Sequence, residues 1–289
     1  MFNRVAIVGL GLIGGSMGLA LHKIRAAQQI AGYDSGPGVC EQAQRTGAID
    51  EASDRLVDVV SGADLVILAT PVGTMNTILQ SISLALSPGT IVTDVASTKT
   101  QVVSWAEQLL PANISFIGGH PMAGKEVSGV EAADAELFKN CIYCLTPTSR
   151  TDPAAVSKMS SLIEMLGARQ CFLSPHKHDQ QVAGVSHLPF LASVALMTTV
   201  ADDATWNEAS FLAATGFRDV TRLAGGSPAM YRDICLTNST AIIEQLDTYI
   251  STLSLLRNRI AKHDQGIDEV FSTARRLRQQ WHEDHNMNE

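Results

Sequence analysis

The start of the chain constrains its fold more than any later segment. An apolar run, Val5–Val8, leads directly into Gly9-Leu10-Gly11-Leu12-Ile13-Gly14, and helix-forming sequence follows. Strand, GxGxxG and helix in that order are the opening of a Rossmann βαβ unit. Gly9 allows the tight turn, Gly11 admits a pyrophosphate close to the backbone, and Gly14 lets helix and strand pack together. The loop peptides, including those of Leu12 and Ile13, run into a helix N-terminus whose free N–H groups and dipole favour phosphate. A second candidate strand, Ile30–Tyr33, ends at Asp34. That is the place for a carboxylate that bonds both ribose hydroxyls. Thr70, at the end of a third strand, completes the candidate cofactor site. The bland alternative is a glycine-rich turn that holds nothing. Asp34 would repel a 2′-phosphate, and Ser35-Gly36-Pro37 brings no arginine to offset it, so NAD is expected over NADP.

Short apolar runs then alternate with amphipathic segments, the pattern of a parallel sheet with crossover helices. Candidate strands are Val5–Val8, Ile30–Tyr33, Leu65–Ala69, Ile91–Asp94, Ser115–Gly118, Cys141–Leu145 and Arg169–Leu173. Beyond Ser174 the reading is helical throughout: Pro175–Val200, Trp206–Ala214, Pro228–Ile260 and Gln265–Glu283. The expected fold class is α/β: an N-terminal Rossmann-type parallel sheet with helices on both faces, then an all-α domain. A chain of 289 residues exceeds one ordinary core, so the expected domains are residues 1–173 and 174–289. The long apolar face of Pro228–Ile260 calls for a partner, and a homodimer through the helical domain is expected.

A net charge of −8 disfavours nucleic acid as a partner. The longest apolar stretch, Leu188–Ala201, is too short to cross a bilayer, so no membrane association is expected. Residues 1–9 enter a strand directly, leaving no room for a signal peptide. The five cysteines form no disulfide pattern. Cys141 and Cys144 have CxxC spacing, but an odd offset along a strand turns them to opposite faces, so no metal site is expected. Together these features point to the cytoplasm.

Further segments place polar residues beyond strand ends or on helices: Asp94-Val-Ala-Ser97-Thr-Lys99, Gly118-Gly-His120-Pro-Met-Ala-Gly124, Val185-Ser-His187-Leu-Pro189 and Gly216-Phe-Arg-Asp219-Val-Thr-Arg222. In open α/β sheets ligands lie outside the carboxyl ends of the strands. With GLGLIGGS, Ser174-Pro-His-Lys-His178-Asp179 and the SPAMYRDI run, these motifs form a collinear set from residue 5 to about residue 260. The set resembles the prephenate/arogenate dehydrogenase family of tyrosine biosynthesis.

The resemblance implies an NAD-dependent oxidative decarboxylation in which a hydride leaves ring C4 and the ring carboxylate departs as carbon dioxide. It implies a catalytic group of His120 as acceptor for the C4 hydroxyl proton, Ser97 as orienting that histidine or the substrate, and His187 across the cleft, helping to hold the substrate. Arg222 is the implied clamp for the ring carboxylate, with Lys125 and Tyr231 near the substrate side chain. Lys125 and Tyr231 depart from the residues common in relatives, which leaves prephenate or arogenate, or both, as substrate. His176 and His178 read as structural or solvent-facing. Lys99 reads as stabilising its loop or as standing near phosphate or substrate, with the choice left open. The further alternatives are a β-hydroxyacid dehydrogenase, for which no lysine motif fits, and a dinucleotide-binding protein without chemistry.

Overall fold

The computed structural model describes residues 1–125 and 127–286. Its strands are β1 (Phe2–Val8), β2 (Ala27–Tyr33), β3 (Glu51–Ala52), β4 (Leu65–Leu68), β5 (Ile91–Asp94), β6 (Ser115–Pro121), β7 (Ile142–Thr146) and β8 (Arg169–Phe172). They form one eight-stranded sheet in the order β3-β2-β1-β4-β5-β6-β7-β8. Every candidate strand is present. The addition is β3, whose two residues pair with Ala31 and Gly32 and are too few to show any periodicity. Helices lie on both faces, and strand side chains alternate between them. Val5, Ile7, Leu65 and Ile67 enter one core, whereas Ala6, Val8, Val66 and Leu68 enter the other. Burial on both faces makes β1 and β4 read as unbroken apolar runs.

β1 lies between β2 and β4, so the chain winds outward in both directions from this point. The crevice beyond the carboxyl ends of β1 and β4 is therefore the expected ligand position. Pairing is parallel throughout except between β6 and β7. β5 pairs with β6 only as far as Ile117, and Gly118–Pro121 pair with β7 alone. β6 thus carries His120 past the end of β5.

The chain after β8 is helical, as expected. Ser174 caps the helix Pro175–Val182, a wide π turn spans Ala183–His187, and the helix Leu188–Ala201 continues from it. Pro189 explains the wide turn: it donates no N–H, and its ring crowds the carbonyl four residues back. The run Pro175–Ala201 is long and apolar enough by length and composition to cross a membrane, where the sequence reading counted only Leu188–Ala201. Within it His178, Asp179 and His187 are buried. The expected single helix Pro228–Ile260 is interrupted. It divides into Pro228–Thr237 and Ser239–Ala261 at Asn238, whose φ of −128° and ψ of 32° are not helical.

By compactness the chain divides into Met1–Ile242 and Ile243–Glu289. The change from strands to helices does follow β8, but the first helices belong to the same compact unit as the sheet. Polar contacts fasten them there. Asp179 accepts from the backbone N–H groups of Lys99 and Thr100 at 2.7 and 2.8 Å, and Asp233 accepts from that of Gly73 at 3.1 Å. In the second unit the helix leaves Ile243, Ile250, Leu253 and Ile260 exposed.

The packing of the first helix, Leu12–Lys23, depends on Gly18. A Cβ there would lie 2.0 Å from the carbonyl oxygen of Ala48, a backbone atom. Alanine usually improves a helix interior by up to about 1 kcal/mol. Here Gly18→Ala should instead destabilise by about 1–3 kcal/mol through overpacking, measured as a lowered midpoint in urea unfolding.

Candidate active site

The cofactor end of the site is built by close backbone contacts. Gly9 sits at φ +93°, and a Cβ there would meet the carbonyl oxygen of Ala69 at 2.6 Å and Thr70 Cγ2 at 2.9 Å. Gly14 is packed so tightly that a Cβ would lie 1.9 Å from the Gly9 carbonyl oxygen. Around Gly11 nothing lies within 4 Å of such an atom, leaving open space above the loop. These are the three environments that turn, packing and pyrophosphate approach require. Leu12 and Ile13 begin the helix that the loop enters.

Asp34 receives the backbone N–H of Leu10 on Oδ2 and that of Gly36 on Oδ1, each at 2.7 Å. The carboxylate is thereby held facing the glycine loop, with lone pairs left for ribose hydroxyls. The adjacent hollow is lined by Asp34, Gly38, Gln42, Arg45, Val130 and Glu131. Arg45 arrives from the far end of the helix Val39–Arg45, so a cation does reach this hollow although none follows Asp34 in sequence.

At the other end, β5 and β6 converge on a buried ion pair. Lys99 is fully buried, and its Nζ bonds the Asp94 carboxylate and the Gly119 carbonyl oxygen. Asp94 also accepts from the backbone N–H groups of Gly119 and Ala96 at 3.1 and 2.9 Å. Burial draws the Lys99 pKa down, and Asp94 partly restores it. Lys99 thus acquires a role: it locks the loop after β5 beneath the strand that carries His120.

His120 is 8% exposed. Its Nδ1 lies 2.9 Å from Nε2 of His178, whose own Nδ1 lies 2.8 Å from Asp179 Oδ1. A carboxylate only accepts, so Nδ1 of His178 donates to Asp179, and Nε2 of His178 is the atom left to pair with His120. A proton on Nδ1 of His120 satisfies this contact and leaves the lone pair of His120 on Nε2. A carboxylate–histidine pair thereby orients the second histidine. Burial works to raise the Asp179 pKa, but the hydrogen bonds from His178, Thr100 and Lys99 outweigh it and the net shift is downward. His120 is driven well below the usual 6.5, by burial first and then by His178, Lys99 and His187. Its ring is therefore uncharged at physiological pH.

Of the two readings of His178, the solvent-facing one is corrected: the residue is fully buried and joined to His120. One signal was available. Four residues after His178 stands apolar Val182, while four after His176 stands Gln180. On a helix that pairing turns His178 inward and His176 outward.

The other candidates are placed as follows. Ser97 is half-buried and makes no hydrogen bond to His120 among the described residues, whose orientation comes from His178. His187 is 1% exposed, with Nδ1 3.2 Å from Asn238 Nδ2. Its Nε2 is buried without a hydrogen-bond partner. Tyr231 stacks on Phe190 with ring centroids 4.0 Å apart and donates its hydroxyl to the Leu223 carbonyl at 2.7 Å. The charge of Arg222 acts on Tyr231, so the two are neighbours. Lys125 pairs with Asp134 at 3.0 Å and donates to the Ala132 carbonyl. It thus braces the loop beside the hollow that Val130 and Glu131 line.

Known proteins resemble this chain in sequence and fold. Residues 17–172 match the family described as prephenate dehydrogenase, nucleotide-binding domain. Residues 174–275 match prephenate dehydrogenase, dimerization domain. The prephenate dehydrogenase of Bacillus subtilis is 37% identical over 281 residues, spanning 96% of this chain and 76% of that protein. The crystal structure of prephenate dehydrogenase from A. aeolicus in complex with hydroxyphenyl propionate and NAD+ superposes with a TM-score of 0.91 at 32% identity. That match covers 97% of this chain and 98% of the other. Arogenate dehydrogenase from Synechocystis superposes with a TM-score of 0.79 at 35% identity, covering 98% and 99%. With a glycine loop and ribose carboxylate at one end and a buried histidine chain at the other, the chain belongs to the prephenate dehydrogenase family of NAD-dependent oxidoreductases.

Proposed function

We propose that the chain converts prephenate to 4-hydroxyphenylpyruvate, with His120 taking the C4 hydroxyl proton. The observation that carries this reading is the Asp179–His178–His120 chain, which leaves a lone pair on Nε2 of a neutral, buried imidazole. Bound at the Gly9–Gly14 loop, NAD supplies the hydride acceptor. The remaining work falls to the protein. Hydride departure from C4 builds positive charge on the attached oxygen, and His120 Nε2 relieves it by accepting the hydroxyl proton. His178 and Asp179 disperse the charge then formed on His120, as the carboxylate does in a triad. Loss of carbon dioxide sends the carbon–carbon bonding pair into the ring, which becomes aromatic, and the proton returns to the phenolic oxygen. Ser97, Arg222, Lys125 and Tyr231 are assigned to substrate orientation, Arg222 by a bidentate guanidinium contact to carboxylate. Leu12, Ile13 and Thr70 complete the cofactor site with Gly9, Gly11, Gly14 and Asp34.

Residues 1–173 act as the nucleotide-binding part, and 174–289 as the substrate-binding and dimerising part. The homodimer is supported by the family description of residues 174–275. It is also supported by the exposed Ile243, Ile250, Leu253 and Ile260, spaced to form one helical stripe. The cytoplasm is the proposed compartment, in keeping with its biosynthetic relatives.

NADH formation with prephenate compared with arogenate tests the substrate. Prephenate should show the higher kcat/KM, and a preference for arogenate would reassign the enzyme to the amino-acid form of the same reaction.

Gly11→Ala should fold normally, because its Cβ meets nothing within 4 Å. It should still raise the NAD dissociation constant at least about tenfold, or roughly 1.4 kcal/mol, by crowding the pyrophosphate. Isothermal titration and a melting curve on one sample check both halves.

His120→Asn should lower kcat by about two to four orders of magnitude, with far smaller changes in substrate and NAD affinity. A base works only when unprotonated, and the pKa of His120 is lowered. Wild-type activity should therefore fall on the acid side only well below pH 6.5 and stay level from there through neutrality. A kcat profile with its midpoint near 6.5 or above would contradict a buried His120 base.

A further inference from the structure

His187 occupies an unusual electrostatic position. The ring is 1% exposed, and Nε2 is buried with no hydrogen-bond partner. Burial lowers its pKa to about 4, against the opposing influence of Asp179, with His178 adding to the decrease. The ring is therefore neutral at physiological pH and carries one proton. Which nitrogen holds it is decided by Asn238.

The amide of Asn238 has only one workable orientation. Its Nδ2 lies 2.9 Å from the carbonyl oxygen of Asp179 and 3.2 Å from Nδ1 of His187. A carbonyl oxygen can only accept, so the atom facing it is the NH2 group, and the second hydrogen of that group points at His187. Nδ1 of His187 is then an acceptor, and the ring proton must reside on Nε2. The buried atom without a partner is an N–H donor, and an unmet donor costs about 1–3 kcal/mol until an acceptor arrives.

We propose that His187 is a fixed hydrogen-bond donor to a substrate oxygen that can only accept, a carboxylate or ketone, and that Asn238 is the positioning residue that sets this tautomer. This rests on the reading of prephenate as substrate. It opposes His187 to His120, whose Nε2 accepts. One imidazole receives the hydroxyl that must give a proton, and the other bonds an oxygen that has none. The two tautomers share an origin in Asp179, whose side chain directs His178 and whose backbone carbonyl directs Asn238. His187 accordingly cannot replace His120 as the base.

Ring-15N histidine NMR of the ligand-free full-length protein reads the tautomer directly, with the His187 signals identified by their loss in His187→Gln. The wild type should show an unprotonated Nδ1 and a protonated Nε2. In Asn238→Asp the carboxylate should draw the proton to Nδ1. A protonated Nδ1 in the wild type would overturn the proposal, and no substrate is needed for this reading. Kinetics then test the donor role. His187→Gln, which retains an N–H donor, should keep KM for prephenate within about fivefold of wild type. His187→Leu should raise KM by about ten- to hundredfold, the worth of a hydrogen bond to a charged group. Equal effects of Gln and Leu, or an unchanged KM in both, would mean that Nε2 meets only water. If Asn238→Asp fails to fold, the wild-type spectrum and the Gln–Leu pair still decide the matter.

Discussion

Asp179 is the contact on which the reacting end of the molecule depends. Its carboxylate accepts from the backbone N–H groups of Lys99 and Thr100 and from His178. Its carbonyl accepts from Asn238. One residue therefore pins the helix after β8 to the loop after β5, and it also orients His178 and Asn238. Buried charge is tolerated only when its hydrogen bonds are complete, and here two backbone donors and the His178 ring satisfy it. The tie explains why the helices Pro175–Thr237 share a compact unit with the sheet.

The Asp94–Lys99 pair does for β6 what Asp179 does for the helices. β6 outruns β5, so its last residues lack a parallel neighbour and are held by β7 on one side. Lys99 and Asp94 bond both backbone groups of Gly119 on the other side. A strand tip that would otherwise fray is thus clamped one residue before His120. Positioned acid–base groups need this kind of rigidity, because small displacements cost much of their effect.

The legible part of the sequence was the part written locally. A GxGxxG loop declares itself because turn, dipole and packing all act within a few residues, and β1 and β4 read as strands because burial on both faces removes polar residues. His120 and Asp34 lie just where such strands end. What escaped depended on partners distant in sequence. His178 differs from His176 only in helical phase, and nothing near residue 178 reveals a strand tip at residue 120. The break at Asn238 was hidden by apolar spacing that continues on either side of it, although Asn238-Ser239-Thr240 is a run of residues that favour helix ends over interiors. Apolar periodicity records which face is buried and says little about where a backbone turns.

The wide turn at Ala183–His187 also has a geometric result. A π turn places one residue more than an α-helix would over the same rise. Successive residues in an α-helix differ by about 100° around the axis, so the segments on either side run out of phase by roughly that angle. His178 and Asp179 lie before the shift, and Phe190 and Ser193 after it. All four are nonetheless buried, because the phase change lets one continuous run address two different neighbours in turn. A straight, regular helix of the same composition would have to choose between them.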